Sequence, residues 1–190
     1  SGRKSPYFFN AGLFNDGGSL SRLGRFYAQA LVHSDLPDVD VIFGPAYKGI
    51  PLAAVTAVAL ADSFDRDLPY CFNRKEAKDH GEGGTLVGAP VAGRVLMLDD
   101  VLTSGKAIRG AAELVRSQDS AIAGVVVALD RAEVMADAGQ TAVAGLAQEL
   151  ASPVVSIANV ADVIGYLQKM DAESDVLQAM HDYTRQYCVL

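Results

Sequence analysis

Four short runs in this chain are apolar almost from end to end: Val39–Phe43, Arg94–Leu98, Ala123–Leu129 and Val154–Ala158. None alternates as a half-exposed strand does. All are rich in β-branched residues and too short for core helices, which points to buried strands of a parallel sheet. Between them lie helical spacings. Leu20, Leu23, Tyr27 and Leu31 share one face of a helix expected from Ser19, and Ala53–Phe64 is Ala-rich. Ile108, Ala111, Ala112 and Val115 form a further inward stripe, and a last helix is expected over Ala172–Tyr187. Strands alternating with helices predict an α/β fold, a mainly parallel sheet flanked by helices. Without a repeat, a low-complexity linker or a Pro/Ser-rich boundary, residues 1–190 read as a single domain. In such a sheet, ligands bind beyond the carboxyl ends of the strands, so the residues just after each apolar run carry the function.

Charge narrows the ligand classes. Sixteen Lys and Arg against 23 Asp and Glu leave a formal net charge of −7, so no overall positive field draws in nucleic acid. An anionic ligand must be caught locally, by clustered cations and backbone N–H groups. Cys71 and Cys188 form neither a disulfide framework nor a C-x-x-C zinc pair, and are expected as free thiols. The longest apolar stretch, Ile50–Ala61, falls well below the ~20 residues a membrane helix requires. No apolar h-region follows Ser1-Gly-Arg-Lys-Ser-Pro6, so a cytoplasmic location is expected. With no initiator Met, the chain is expected to begin inside a longer natural sequence.

The richest motif is Val95-Leu-Met-Leu-Asp-Asp-Val-Leu-Thr-Ser-Gly-Lys-Ala107. An apolar strand runs into two carboxylates, then a small hydroxyl-bearing loop, then a helix. Thr103, Ser104 and Gly105, with the helix N-terminus behind them, make an anion cradle suited to phosphate. Asp99 and Asp100 would repel that phosphate unless hydrogen-bond donors occupy them, and sugar hydroxyls are natural donors. The motif therefore reads as a ribose phosphate site, with the phosphate on the loop and the 2′/3′ diol on the acids. It is neither a Walker A loop nor a G-x-G-x-x-G turn.

This motif resembles the phosphoribosyl pyrophosphate (PRPP) signature of the phosphoribosyltransferase family. Three further segments are similar to the bacterial orotate phosphoribosyltransferases: Ser1-Gly-Arg-Lys-Ser-Pro-Tyr-Phe-Phe-Asn10, Gly44-Pro-Ala-Tyr-Lys-Gly49 and Asn73-Arg-Lys-Glu-Ala-Lys-Asp-His-Gly-Glu-Gly83 with Gly84. The resemblance spans nearly the whole chain and implies the type I, Rossmann-like fold with a small hood region. It also implies Mg²⁺, a homodimer, and the reaction of orotate with PRPP in pyrimidine (UMP) biosynthesis. Relatives carry a preceding N-terminal helix and a substrate-contacting Lys, which are expected to be absent from a chain that starts at Ser1. Some are fused to a decarboxylase, which is not expected in a chain ending at Leu190.

Each segment also has its own physics. Gly44–Gly49 follows a strand and precedes a helix, and its N–H groups with Lys48 suit a diphosphate, or make an ordinary turn with a solvated Lys. The resemblance gives Tyr47 and Lys48 the pyrophosphate. Residues 74–84 mix Arg74, Lys75, Lys78 and His80 with acids and glycines, as an idle solvated loop or an active-site lid would. The resemblance makes it a mobile loop whose cations reach PRPP, partly in the neighbouring subunit. Phe8 and Phe9, if in a strand, direct one ring inward and leave the other for core packing or for stacking on a flat heterocycle; by resemblance the pair lies against orotate. Arg131 offers a guanidinium fork for a carboxylate, or an ion pair with Asp130 or Glu133; the resemblance assigns it, with Thr103, to orotate. The PRPP loop by the same resemblance spans Asp99, Asp100, Val101, Leu102, Thr103, Ser104, Gly105, Lys106 and Ala107. His33 and His181 read as structural or exposed.

The implied chemistry breaks the C1′–O bond of PRPP, so charge develops on pyrophosphate. Lys78 is expected to matter most to that transition state, with His80 donating to the departing oxygen. Asp99 and Asp100 are expected to orient the ribose rather than act as the base. Mg²⁺ is expected on PRPP oxygens and water, with no protein ligand set. Lys106 stands where many relatives carry a small hydroxyl residue, which favours phosphate binding without changing specificity, and Ser104 replaces a commoner Ala. Two other readings compete: a PRPP-binding regulator, for which no nucleic-acid surface is evident, and a phosphoribosyltransferase for another base.

Overall fold

The computed structural model describes residues 3–78, 84–103, 105–135 and 139–189, the side chains of Ala77 and Lys78 excepted. Among these, six strands form one sheet: β1 (Val41–Gly44), β2 (Tyr70–Lys78), β3 (Gly84–Gly88), β4 (Arg94–Val101), β5 (Ala121–Asp130) and β6 (Val154–Asn159). Their order is β3-β2-β1-β4-β5-β6, with β3 antiparallel to β2 and every other pairing parallel. The helices are α1 (Gly17–His33), α2 (Gly49–Phe64), α3 (Lys106–Arg116), α4 (Ala142–Leu150), α5 (Val160–Lys169) and α6 (Ser174–Tyr187).

Strand alternation sorts the core into two layers. Ile42, Leu96, Leu98, Val126 and Ala128 face α1 and α2, where Leu23, Tyr27, Leu31, Leu52 and Leu60 meet them. Val41, Val95, Met97, Val125 and Val127 face α3 and α4, against Ile108, Val115 and Leu146. With both faces covered, the central strands are apolar on both sides, as the continuous runs require. A third, smaller cluster joins Ala132, Val160, Ile164 and Met180 with Tyr7, at the end where α5 and α6 pack.

Local chemistry moves several boundaries. Asp16 caps α1, accepting from the Ser19 N–H at 2.9 Å while Ser19 closes the reciprocal capping box. The helix therefore starts at Gly17, two residues before the expected Ser19, which becomes its third residue. Helix α2 begins at Gly49, one turn before the expected Ala53. At Gly24 a Cβ would lie 2.5 Å from the Val55 carbonyl oxygen, so α1 and α2 touch backbone to backbone there. The charged stretch expected as a loop over 74–84 is strand as far as Lys78 and strand again from Gly84. Cys71 and Cys188 are both free, and no helix among the described residues is long and apolar enough to cross a membrane.

Candidate active site

Loops leaving β1 and β4 meet at the carboxyl edge of the sheet. The first is held by two glycines. A Cβ on Gly44 would lie 2.2 Å from the Gly49 carbonyl oxygen, and one on Gly49 would lie 2.8 Å from that of Leu98. Only bare backbone lets the start of α2 sit on the end of β1 and against β4. The Ala46 N–H donates to Asn73 Oδ1 at 2.9 Å, tying this loop to β2, and the Ala46–Tyr47 peptide is cis. Lys48 Nζ reaches Asp100 Oδ2 at 2.6 Å. Tyr47 is exposed, with Lys75 Nζ 4.5 Å from its ring centroid.

Strand β4 does not stop at Leu98 but carries both acids in the ladder through Val101. Alternation then separates them. Asp99 faces a cavity of about 630 Å³ that also takes in Asn73, Lys75 and the first turn of α3, whereas Asp100 is buried against Lys48. The Asp100 N–H donates to Asp99 Oδ1 at 2.9 Å, and the Asp99 carbonyl accepts from the Tyr27 hydroxyl at 2.7 Å. Burial pushes the Asp99 carboxyl up to about 6, with the Asp100 charge adding to the rise and Lys48 opposing it.

The loop after β4 forms the far wall. Thr103 is exposed and lines the cavity, while Leu102 is buried in the core against α3. Gly105 takes a left-handed conformation, φ 66°, as the cap of α3, and no side chain caps that helix. The first turn of the helix, with Lys106 and Ala107, lines the cavity, where the positive end of its dipole favours an anion. Ser104 lies outside the described residues, as do His80 and the Lys78 side chain. Arg74 lies on β2 with Lys75, so both are strand residues rather than loop residues.

Of the expected base-binding groups, Thr103 lines this cavity, whereas Phe8, Phe9 and Arg131 are not among its lining residues. Phe8 is exposed and outside regular structure, while Phe9 packs on the core beside Phe14, their ring centroids 6.2 Å apart. Arg131 follows β5 and pairs with Glu133, which its sequence neighbourhood allowed. Among the described residues no three His, Cys, Asp or Glu side chains gather as a metal cage. Asn73 and Tyr27 join the site without having been marked as site residues by the sequence. An amide directly preceding the charged segment hinted at the first, while Tyr27 looked like one more residue of an apolar stripe.

Comparison with known proteins agrees with this geometry. Residues 15–146 match the phosphoribosyl transferase domain. Over 188 residues the chain is 55% identical to orotate phosphoribosyltransferase of Stutzerimonas stutzeri, covering 98% of this chain and 87% of that protein. The enzyme of the same name from Pseudomonas aeruginosa PAO1 is 56% identical over the same length and coverage. The crystal structure of orotate phosphoribosyltransferase from Francisella tularensis aligns with a TM-score of 0.86 at 38% identity, over 99% of this chain and 89% of that one.

Proposed function

This chain belongs to the orotate phosphoribosyltransferases, and we propose from that membership and from its site how it transfers the phosphoribosyl group of PRPP to N1 of orotate. The products are orotidine 5′-monophosphate and pyrophosphate. The observation that carries the assignment of roles is the cavity at the sheet edge, where Asp99 stands across from the uncapped N-terminus of α3.

The 5-phosphate lies on Thr103, Ser104, Gly105, Lys106 and Ala107, where N–H groups and a helix dipole meet an anion without a bulky side chain between. Asp99 accepts a ribose hydroxyl. Asp100 takes the second hydroxyl once the diphosphate draws Lys48 away, so one cation serves the empty acid and the loaded leaving group in turn. Tyr47, Arg74 and Lys75 line the diphosphate side, and Lys78 and His80 complete it. Orotate stacks at Phe8 and Phe9 and presents its carboxylate to Arg131.

Mg²⁺ fits this donor set only as a passenger of the substrate. Asp100 is engaged by Lys48 and no protein cage is present among the described residues, so substrate oxygens and water would supply most of its ligands, with Asp99 and Asp100 the acids of this chain that would help hold it. When bound, it offsets charge on the leaving diphosphate. The chain's own residues hold the two substrates in line and keep the ribose from turning. A homodimer, with the 74–84 segment reaching the neighbouring site, and a cytoplasmic location complete the proposal.

Consumption of orotate with PRPP and Mg²⁺, with uracil, hypoxanthine and adenine as controls, tests the reading. Turnover of orotate alone is expected. Preference for any control base would reassign the substrate while leaving the PRPP half intact.

A further inference from the structure

Arg131 is held from three sides. Its Nε donates to Glu133 Oε1 at 2.8 Å, and its Nη2 pairs with the same carboxylate. Nη2 also donates to Ser5 Oγ at 2.9 Å and approaches the Tyr183 hydroxyl at 3.5 Å. That hydroxyl donates to Glu133 Oε1 at 2.7 Å, closing a triangle of Arg, Glu and Tyr. One face of the guanidinium lies over Tyr7, 4.8 Å from its ring centroid. Nη1 has no partner among the described residues.

The backbone fixes the same triangle. Glu133 bridges Cys188, the Val134 N–H donates to the Tyr187 carbonyl at 2.8 Å, and that of Val189 donates to Ala132 at 3.0 Å. The end of α6 is thus stitched to the loop after β5. Val101 at the end of the acidic strand pairs with Leu129, so Arg131 stands two residues past that rung, on the same edge of the sheet as Asp99 and Thr103.

We infer that Glu133 and Tyr183 are positioning residues for Arg131, locking its Nε–Nη2 edge so that the Nη1 corner meets the carboxylate of the substrate. This rests on the reading of Arg131 as the orotate contact. A negative Glu133 beside a carboxylate-binding cation works against substrate attraction by simple charge, since the pair sums to nothing. Its presence is accounted for if a fixed guanidinium plane contributes more than a bare positive field. Tyr183 then brings α6, remote in sequence, into substrate recognition without touching the substrate.

Steady-state kinetics on the full chain with Mg²⁺, varying orotate and PRPP separately, test this. Tyr183→Phe keeps the ring and every charge, and should raise the orotate KM about three- to tenfold with the PRPP KM held within about twofold. Glu133→Gln should raise the orotate KM by a similar factor, although it removes a negative charge. A fall in orotate KM for Glu133→Gln would show that the acid only burdens the site, and would overturn the inference. So would an unchanged orotate KM in both variants, or equal rises for both substrates. If Glu133→Gln does not fold, Tyr183→Phe decides alone. Arg131→Ala separates the two levels: an unaltered orotate KM there removes the premise, whereas a large rise with silent Tyr183→Phe and Glu133→Gln removes only the positioning role.

Discussion

Lys48 Nζ sits 2.6 Å from Asp100 Oδ2 in an unequal pair, the lysine side chain 61% exposed and the carboxylate 9%. The acid is shielded from solvent, while most of the lysine side chain reaches it. Lys48→Met should therefore raise the PRPP KM by about tenfold or more, the scale of a lost charge-assisted hydrogen bond. The orotate KM should stay near the original, and the melting temperature should drop by a few degrees because Asp100 loses its counter-charge. Parallel titration of both substrates checks this, and equal loss for both would argue against a leaving-group role.

Asp99 should impose a pH signature on both binding and stability. An unfolded Asp titrates near 3.9, whereas burial lifts Asp99 to about 6 in the fold. The folded state thus holds more protons between these values. The stability tied to this group is full below the unfolded value and lost as pH rises through the folded one. Asp99→Asn should melt higher than the parent at pH 8, by on the order of 2 kcal/mol, with the gap closing toward pH 4. In the proposed role the ionised form accepts a ribose hydroxyl, so kcat/KM for PRPP should fall below pH 6 in the parent. That limb should be missing in Asp99→Asn, whose overall activity is lower. A common limb in both proteins would assign it to another group or to PRPP itself.

Gly105 and Gly49 should fail in different ways. Gly105 holds φ 66°, and a Cβ there would first meet the end of the Arg109 side chain, at 3.0 Å. Gly105→Ala should cost about 1 kcal/mol of stability and weaken PRPP binding by tilting the phosphate loop. At Gly49 the obstacles are backbone and a proline ring, so Gly49→Ala should cost about 1–3 kcal/mol as β1, α2 and β4 are forced apart. Chemical denaturation beside PRPP titration separates the two: binding loss should exceed stability loss only for Gly105.

Lys78→Ala should depress turnover by about a hundredfold while changing the PRPP KM little, as expected for a cation acting on the departing diphosphate. Unchanged single-turnover rates would reject that role. Mixing this variant with an Asp99→Asn/Asp100→Asn chain tests sharing between subunits, since a mixed dimer should regain one working site. No recovery would place the 74–84 segment in its own chain's site.

What could be read from the sequence followed burial. β4 and β5 run without a break through the core, and Val95–Leu98 and Val125–Val127 are wholly buried, so their apolar runs marked them. β2 was not legible because Asn73-Arg-Lys-Glu76 is polar and only half covered, its partner β3 being the sheet edge. α4 and α5 lacked a clear stripe: Gly145 and Gly165 interrupt them, and α5 buries only Val160 and Ile164. At the site, the acids and the glycine loop were legible because each is unusual after a buried strand. That Asp99 and Asp100 diverge was not, because their separation depends on the strand continuing to Val101. Arg131 shows the same limit, its clamp being built from Ser5 and Tyr183, which only the fold brings near.

The hydroxyl of Tyr27 grips the main chain of Asp99 from the opposite layer, inside the best-shielded part of the molecule. The cavity-facing acid is therefore braced from behind by the first helix, not merely suspended from a loop. Damage to that helix, however far from any ligand, would loosen the sugar's seat, so that mutational tolerance around residues 23–31 should track catalytic fitness as closely as it tracks solubility.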